Sequence, residues 1–296
     1  MKANRTTILI FFVMVAILSG FVVIGPFAQE SALYQIANIT LGSVLISLCF
    51  SLLTEDYSWT DRLWSTLPVV FTWIYAYKAG FSSPVVVAAL LATLWGARLT
   101  FNFARRGGYR GEEDYRWKIL KQKIGNPVGW FFFNVFFIAF YQQFLFIAFT
   151  SPIGILPSSN APFSPLSFIA IFLFICFLSI ETIADQQQYT FQQAKYQLLP
   201  RKDTLEDEYA QGFRSSGLFT YSRHPNYFGE LGVWWSIYLF SVSFHGSLLH
   251  YTIVGPLLLT LLFIGSTIFT ESITSSKYPA YAAYKEKAGA IVFRFW

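Results

Sequence analysis

The stretch PLSFIAIFLFICFLSIETIA, from Pro165 to Ala184, decides the class of this fold. A single charge, Glu181, interrupts it, near its end. A helix that crosses a bilayer needs about 20 mostly apolar residues, and this run supplies them. The rest of the chain repeats the pattern. Similar runs occupy Ile8–Phe27, Ala37–Leu53, Leu63–Ala79, Ser83–Phe103, Gly129–Thr150, Leu231–Phe244 and Thr252–Thr270. The Leu231–Phe244 run is short and reads as the continuation of a helix begun earlier, or as a re-entrant segment. The sequence therefore predicts an all-α, polytopic membrane bundle of about eight spans, or seven, treated as one integral-membrane domain over 1–296.

Composition agrees. The 296 residues are 54% hydrophobic, 20% aromatic and 12% charged, against roughly 25% charged in soluble domains. One soluble core of this size would not hide so much apolar surface. An ordinary globular enzyme, a disordered chain and a nucleic-acid binder are thereby excluded. Cys49 and Cys176 both sit in apolar runs and read as inert core residues. With three histidines and no ligand spacing, no metal site is expected.

The net charge of +5 reports topology. Lys2 and Arg5 precede the first run. Arg105, Arg106, Arg110, Arg116, Lys118, Lys121 and Lys123 follow the fourth. Lys195, Arg201, Lys202, Arg214 and Arg223 follow the sixth, and Lys277, Lys285, Lys287 and Arg294 close the chain. Residues Ser151–Ser164 carry no charge, and His245–His250 carry no Lys or Arg. With eight spans and both termini cytoplasmic, every basic cluster falls on one side. Short outer loops lean towards a bacterial inner membrane, with membrane lipids as neighbours.

Polar residues inside apolar runs are functional candidates. Arg98 and Asn102 lie four apart at the end of the fourth run, Glu181 and Asp185 at the end of the sixth, and Asn226 and Glu230 at the start of the seventh. Residues four apart share a helix face. Three helix ends thus offer polar pairs at one depth, and together they would line a pocket open to the cytoplasm. The plainer alternatives are arginines that snorkel to headgroups and acids that only mark the end of a span.

The densest string is Gly217-Leu218-Phe219-Thr220-Tyr221-Ser222-Arg223-His224-Pro225-Asn226-Tyr227-Phe228-Gly229-Glu230. Pro225 suits the first turn of a helix. A helix start beside Arg223 and His224, with Arg214 near in sequence, suits a phosphate or carboxylate. A structural hydrogen bond is the alternative for His224. The Arg105–Trp117 loop, with Gly107-Gly108 and Arg110, is a second anion candidate.

These residues resemble the membrane reductases of the steroid 5-alpha-reductase C-terminal type, in particular their bacterial DUF1295 members. The likeness runs from about Ser58 to the C-terminus. Leu94–Thr100, Glu181–Gln188, Tyr221–Glu230, and a tail with Tyr281 and Tyr284 carry it. It implies NADPH held by Arg98, Arg110, Asp185, Arg214, Tyr221, Asn226 and Glu230. It also implies hydride transfer to a carbon–carbon double bond of a lipid-like substrate. A protein acid would hydrogen-bond the substrate carbonyl. The steroid-active members use an intramembrane Glu there, and the matching region, Trp64–Tyr77, has none. Tyr75, Tyr77, Tyr141 and Glu181 are the alternatives, with Tyr141 and Glu181 carried as catalytic candidates. The string Arg223–Gly229 and a late Glu271 also resemble membrane methyltransferases of the isoprenylcysteine carboxyl methyltransferase type, which implies S-adenosylmethionine instead. A non-enzymatic lipid-binding protein is the third reading.

Overall fold

The computed structural model describes residues 5–25 and 29–295. Lys2 and the expected end of the first span at Phe27 lie outside the described residues. Twelve α-helices are described: α1 (Arg5–Ile24), α2 (Ala32–Thr54), α3 (Leu67–Lys78), α4 (Ser83–Arg105), α5 (Tyr115–Ile124), α6 (Pro127–Phe133), α7 (Gln142–Thr150), α8 (Pro165–Lys195), α9 (Glu206–Gln211), α10 (Pro225–His245), α11 (Val254–Lys277) and α12 (Tyr281–Lys287). A π-helical segment, Asn134–Tyr141, joins α6 to α7. Among the described residues the extended structure amounts to one isolated bridge, between Ser222 and Gly289.

Among the described residues, five segments are long and apolar enough to cross a membrane: Ala32–Thr54, Ser83–Arg105, Pro127–Ile155, Pro165–Lys195 and Tyr251–Lys277. Their outer faces are apolar too. On α8, Phe168, Phe172 and Ile175 are 61%, 66% and 42% exposed, a stripe at helical spacing that a soluble protein would turn inward. The chain is an integral membrane protein built as a helical bundle.

Three expectations shift. The run Leu63–Ala79 becomes the twelve-residue helix α3, about 18 Å long at 1.5 Å per residue, against roughly 30 Å of hydrocarbon. Residues 61–63 instead form a 3₁₀ turn tied down by a buried Arg62–Asp56 ion pair. The Leu231–Phe244 run does begin earlier, at Pro225, and α8 continues to Lys195. Cys49 is exposed and Cys176 half-buried. Neither is a core residue, because the free face of a spanning helix meets lipid.

The chain divides into two compact units, Met1–Pro165 with Ser241–Gly255, and Leu166–Phe240 with Pro256–Trp296. In the first unit, loops meet in pairs at the two ends of α4. At the basic end of α4, Arg62 Nε donates to the Gly108 carbonyl at 3.0 Å, and the Tyr57 N–H to Glu113 at 2.9 Å. There the Asp114 N–H also donates to Ser58 Oγ at 2.9 Å. At the other end of α4, Ser82 Oγ donates to the Pro157 carbonyl at 2.7 Å, and the Ser83 N–H to Asn160 at 2.8 Å. Between the ends, Ser43, Ser47 and Ser51 of α2, each one turn apart, hydrogen-bond Gln143 and Asn134. Such interhelical polar pairs hold spans together where lipid offers no hydrophobic drive.

In the second unit the C-terminal tail folds back on the loop before α10. The Arg223 and His224 N–H groups donate to the Gly289 and Ala290 carbonyls at 2.8 and 3.1 Å. Ser222 Oγ donates to the Ile291 carbonyl at 2.7 Å. Phe213 packs among Tyr278, Tyr281 and Tyr284.

Candidate functional site

In the second unit α8 and α10 meet closely because α10 carries a glycine at the crossing. A Cβ on Gly229 would lie 2.6 Å from Glu181 Cβ and 2.8 Å from the Phe177 carbonyl oxygen. The crossing gathers three buried carboxylates. Glu181 and Asp185, one turn apart on α8, are 4% and 5% exposed, and Glu230 of α10 is 4% exposed. Trp234 Nε1 donates to Glu230 at 3.2 Å. Asn226, one turn before Glu230, is half-buried in the first turn of α10. Two of the three expected polar pairs thus come together in one unit.

Arg214 stands beside α8. Its Nη1 donates to the Gln187 carbonyl at 3.0 Å, and Gln187 Oε1 in turn accepts the Leu218 N–H at 3.1 Å. Burial pulls the Arg214 pKa down, while Glu208 and Tyr209 push it back up. Gly217 allows this approach at φ +67°, where a Cβ would meet the Gln187 amide at 2.7 Å.

Arg223 and His224 are engaged elsewhere. Arg223 Nε and Nη2 donate to Glu271 at 2.6 and 3.2 Å. Its Nη1 donates to the Lys285 carbonyl at 3.0 Å and to that of Ala288. His224 Nε2 lies 3.3 Å from Glu271 Oε1, and Lys285 Nζ 3.4 Å from Oε2. The His224 ring stacks on Tyr227 at 4.9 Å. Arg223, expected beside a phosphate, donates instead to the buried carboxylate of Glu271, and the His224 ring lies next to the same carboxylate. Glu271 is the residue the sequence reading underweighted. Its signal was a lone acid directly after the last apolar run, Thr252–Thr270, where a buried charge needs a partner. Tyr221 is exposed, and its ring packs on Phe293 and Phe295.

These residues fall within one recognised sequence pattern. The profile of a family of proteins of unknown function, DUF1295, matches residues 47–288. The chain belongs to the DUF1295 family. It is also similar to the uncharacterized protein C594.04c of Schizosaccharomyces pombe, 37% identical over 267 residues, which cover 85% of this chain and 76% of that one. No solved structure matches it. Every site residue from Arg98 to Glu271 lies inside the DUF1295 match, whereas α1 and most of α2 precede it.

The remaining candidates of this DUF1295 chain lie in the first unit. Arg98 is half-buried and Asn102 buried, one turn apart on α4. Asn102 Oδ1 accepts from Arg105 Nε at 2.9 Å. Arg110 is exposed at the end of a 3₁₀ turn flanked by Gly107 and Gly111, both left-handed at φ +88° and +84°. Tyr141 ends the π segment, half-buried, stacked on Phe137 at 5.5 Å.

Proposed function

We propose that this chain is an NADPH-dependent integral-membrane reductase acting on a lipid-like substrate, in the manner of the steroid 5-alpha-reductase type. The observation that carries the reading is the set of three buried carboxylates where α8 meets α10. Buried acids in a membrane protein are costly and persist where they hold donors. The donor set fits the cofactor. Asp185, Glu230 and Asn226 accept hydrogen bonds from ribose or carboxamide groups, or orient arginines that do the binding. In the same unit the partly desolvated Arg214 supplies a cation suited to phosphates. When bound, NADPH supplies hydride to a carbon–carbon double bond of a steroid, isoprenoid or fatty-acyl molecule entering from the bilayer. Tyr141, or Glu181 in its protonated form, donates a hydrogen bond to the substrate carbonyl oxygen and stabilises the negative charge that develops there. The basic loops favour a cytoplasmic cofactor site, with both termini on that side, in a bacterial inner membrane.

One observation favours a second reading. Arg223, His224 and Glu271 form a single cluster around the start of α10, and those residues carry the likeness to S-adenosylmethionine-dependent membrane methyltransferases.

A thermal-shift titration of the detergent-purified chain with NADPH, NADH and S-adenosylmethionine separates the readings, since a ligand bound only by the folded state raises Tm. A saturable rise with NADPH is expected. A rise with S-adenosylmethionine alone overturns the reductase in favour of the methyltransferase. No rise with any of the three leaves the non-enzymatic lipid-binding reading.

A further inference from the structure

An open groove of about 740 Å³ lies in the first unit, between α5, the start of α6 and the last turns of α2. Its lining changes character from one side to the other. Lys118 and Lys121 of α5 stand on one side, and no acidic residue lines it. Leu52 of α2 and Phe131 of α6 stand on the other, 49% and 43% exposed on segments that cross the membrane.

Two buried polar atoms among its lining residues lack partners. Trp130 is 4% exposed, and its indole N–H donates to nothing. Asn134, one turn on, is 1% exposed. Its Nδ2 donates to Ser51 Oγ at 2.9 Å, but its Oδ1 accepts nothing. Each such orphan costs roughly 1–3 kcal/mol, so an orphan donor and an orphan acceptor one turn apart call for a physical reason. A hydroxyl group that reached both would accept from the indole and donate to the amide oxygen. Asn134 also opens the π-helical segment, and π insertions are frequent at functional sites. Tyr57 completes the wall. Its ring packs edge-on to Trp130 at 4.8 Å, and its hydroxyl accepts from Lys121 Nζ at 3.3 Å.

We propose that this groove is a binding site for one anionic phospholipid of the surrounding bilayer. The phosphate meets Lys118 and Lys121, a headgroup hydroxyl pairs with Trp130 and Asn134, and the acyl chains run along Leu52 and Phe131. A free glycerol phosphate offers the same polar groups. The exposed apolar flank, continuous with two spans, argues for the lipid. None of the residues assigned to NADPH takes part, so the site stands if the reductase reading falls.

The test is native mass spectrometry of the full chain in mild detergent, with phosphatidylglycerol, phosphatidylcholine and glycerol 3-phosphate as separate probes. One phosphatidylglycerol is expected to stay bound at concentrations where phosphatidylcholine is lost. The double substitution Lys118→Gln/Lys121→Gln, on exposed positions, should weaken retention about 20-fold, since each lysine near an anionic headgroup contributes roughly a fivefold gain. Trp130→Phe keeps an aromatic ring, removes the donor and should weaken retention about fivefold. Equal retention of phosphatidylcholine, or retention unchanged in both variants, overturns the proposal. Glycerol 3-phosphate binding as tightly as the lipid assigns the groove to a soluble phosphate and overturns it as well.

Discussion

Each unit contains a buried arginine in an ion pair, and the two pairs do different work. In the first unit Arg62 pairs with Asp56 at 2.7 Å, six residues away, and neither side chain reaches solvent appreciably. The pair closes one turn and ties it to Gly108. In the second unit Arg223 pairs with Glu271 at 2.6 Å across 48 residues of chain, and His224 and Lys285 share the same carboxylate. The first pair is a local staple. The second joins three separate segments, namely the start of α10, the end of α11 and the tail. Removing one partner of a buried pair leaves an uncompensated charge, which costs about 3–5 kcal/mol. Arg62 is fully buried, so Asp56→Ala should cost the whole of that and show as a large fall in Tm. Glu271→Ala should cost less, about 2–3 kcal/mol, because Arg223 keeps two tail carbonyls. Its distinguishing result is local: limited proteolysis should cut the tail after Lys285 before the helices open. Equal sensitivity of the tail in both variants would erase the contrast.

Asp61 sharpens the comparison from the other side, because among the described residues no ion pair joins it to an arginine and Arg116 acts on it only through its charge. It accepts from Trp117 Nε1 at 2.8 Å. Burial, with Asp114 nearby, raises its pKa from the usual 3.8 to about 6, against a lowering by Arg116. The folded state therefore binds this proton more tightly than the unfolded chain. Stability from this group is highest below about pH 4, falls as pH rises towards 6 and is level above that. Asp61→Asn keeps an acceptor for Trp117 and removes the ionisation cost. A gain of about 2 kcal/mol is expected at pH 8 and none at pH 4, read as paired Tm values. A gain of equal size at both pH values would show that the carboxylate is not the cause.

Much of the fold was legible because lipid makes a simple demand: about 20 apolar residues, with basic loops on one side. Pro165–Ala184 met it and became α8. Leu63–Ala79 met the apolar count but not the length, because the buried Asp56 and Arg62 draw the chain into a turn before α3. Hydropathy sees apolar residues and does not see ion pairs. The site was half legible. The i, i+4 pairs of α8 and α10 could be read from spacing, since one helix sets each. Glu271 could not be assigned, because its partners lie 48 and 47 positions earlier in the chain. Nothing in the sequence singles out Trp130 among the nine tryptophans. Only its missing hydrogen-bond partner, together with that of Asn134, distinguishes it, and no sequence pattern shows a missing partner.

The smallest expected effect concerns Gly229, and it tests the site more directly than the larger ones. Alanine there gains helix propensity, worth up to about 1 kcal/mol over glycine. Against that, its Cβ would fall 2.6 Å from Glu181 Cβ and 2.8 Å from a backbone oxygen, neither of which yields by a side-chain rotation. Overpacking of this kind costs typically 1–3 kcal/mol, so the net loss should be only about 1 kcal/mol. The consequence is positional: α10 must move away from α8, carrying Glu230 away from Glu181 and Asp185. If those three carboxylates act together on a cofactor, Gly229→Ala should reduce the NADPH-induced rise in Tm far more than it lowers the Tm of the free protein. A variant that loses stability but keeps the full NADPH response would show that the tight crossing serves packing alone. The three acids would then be binding separately or not at all.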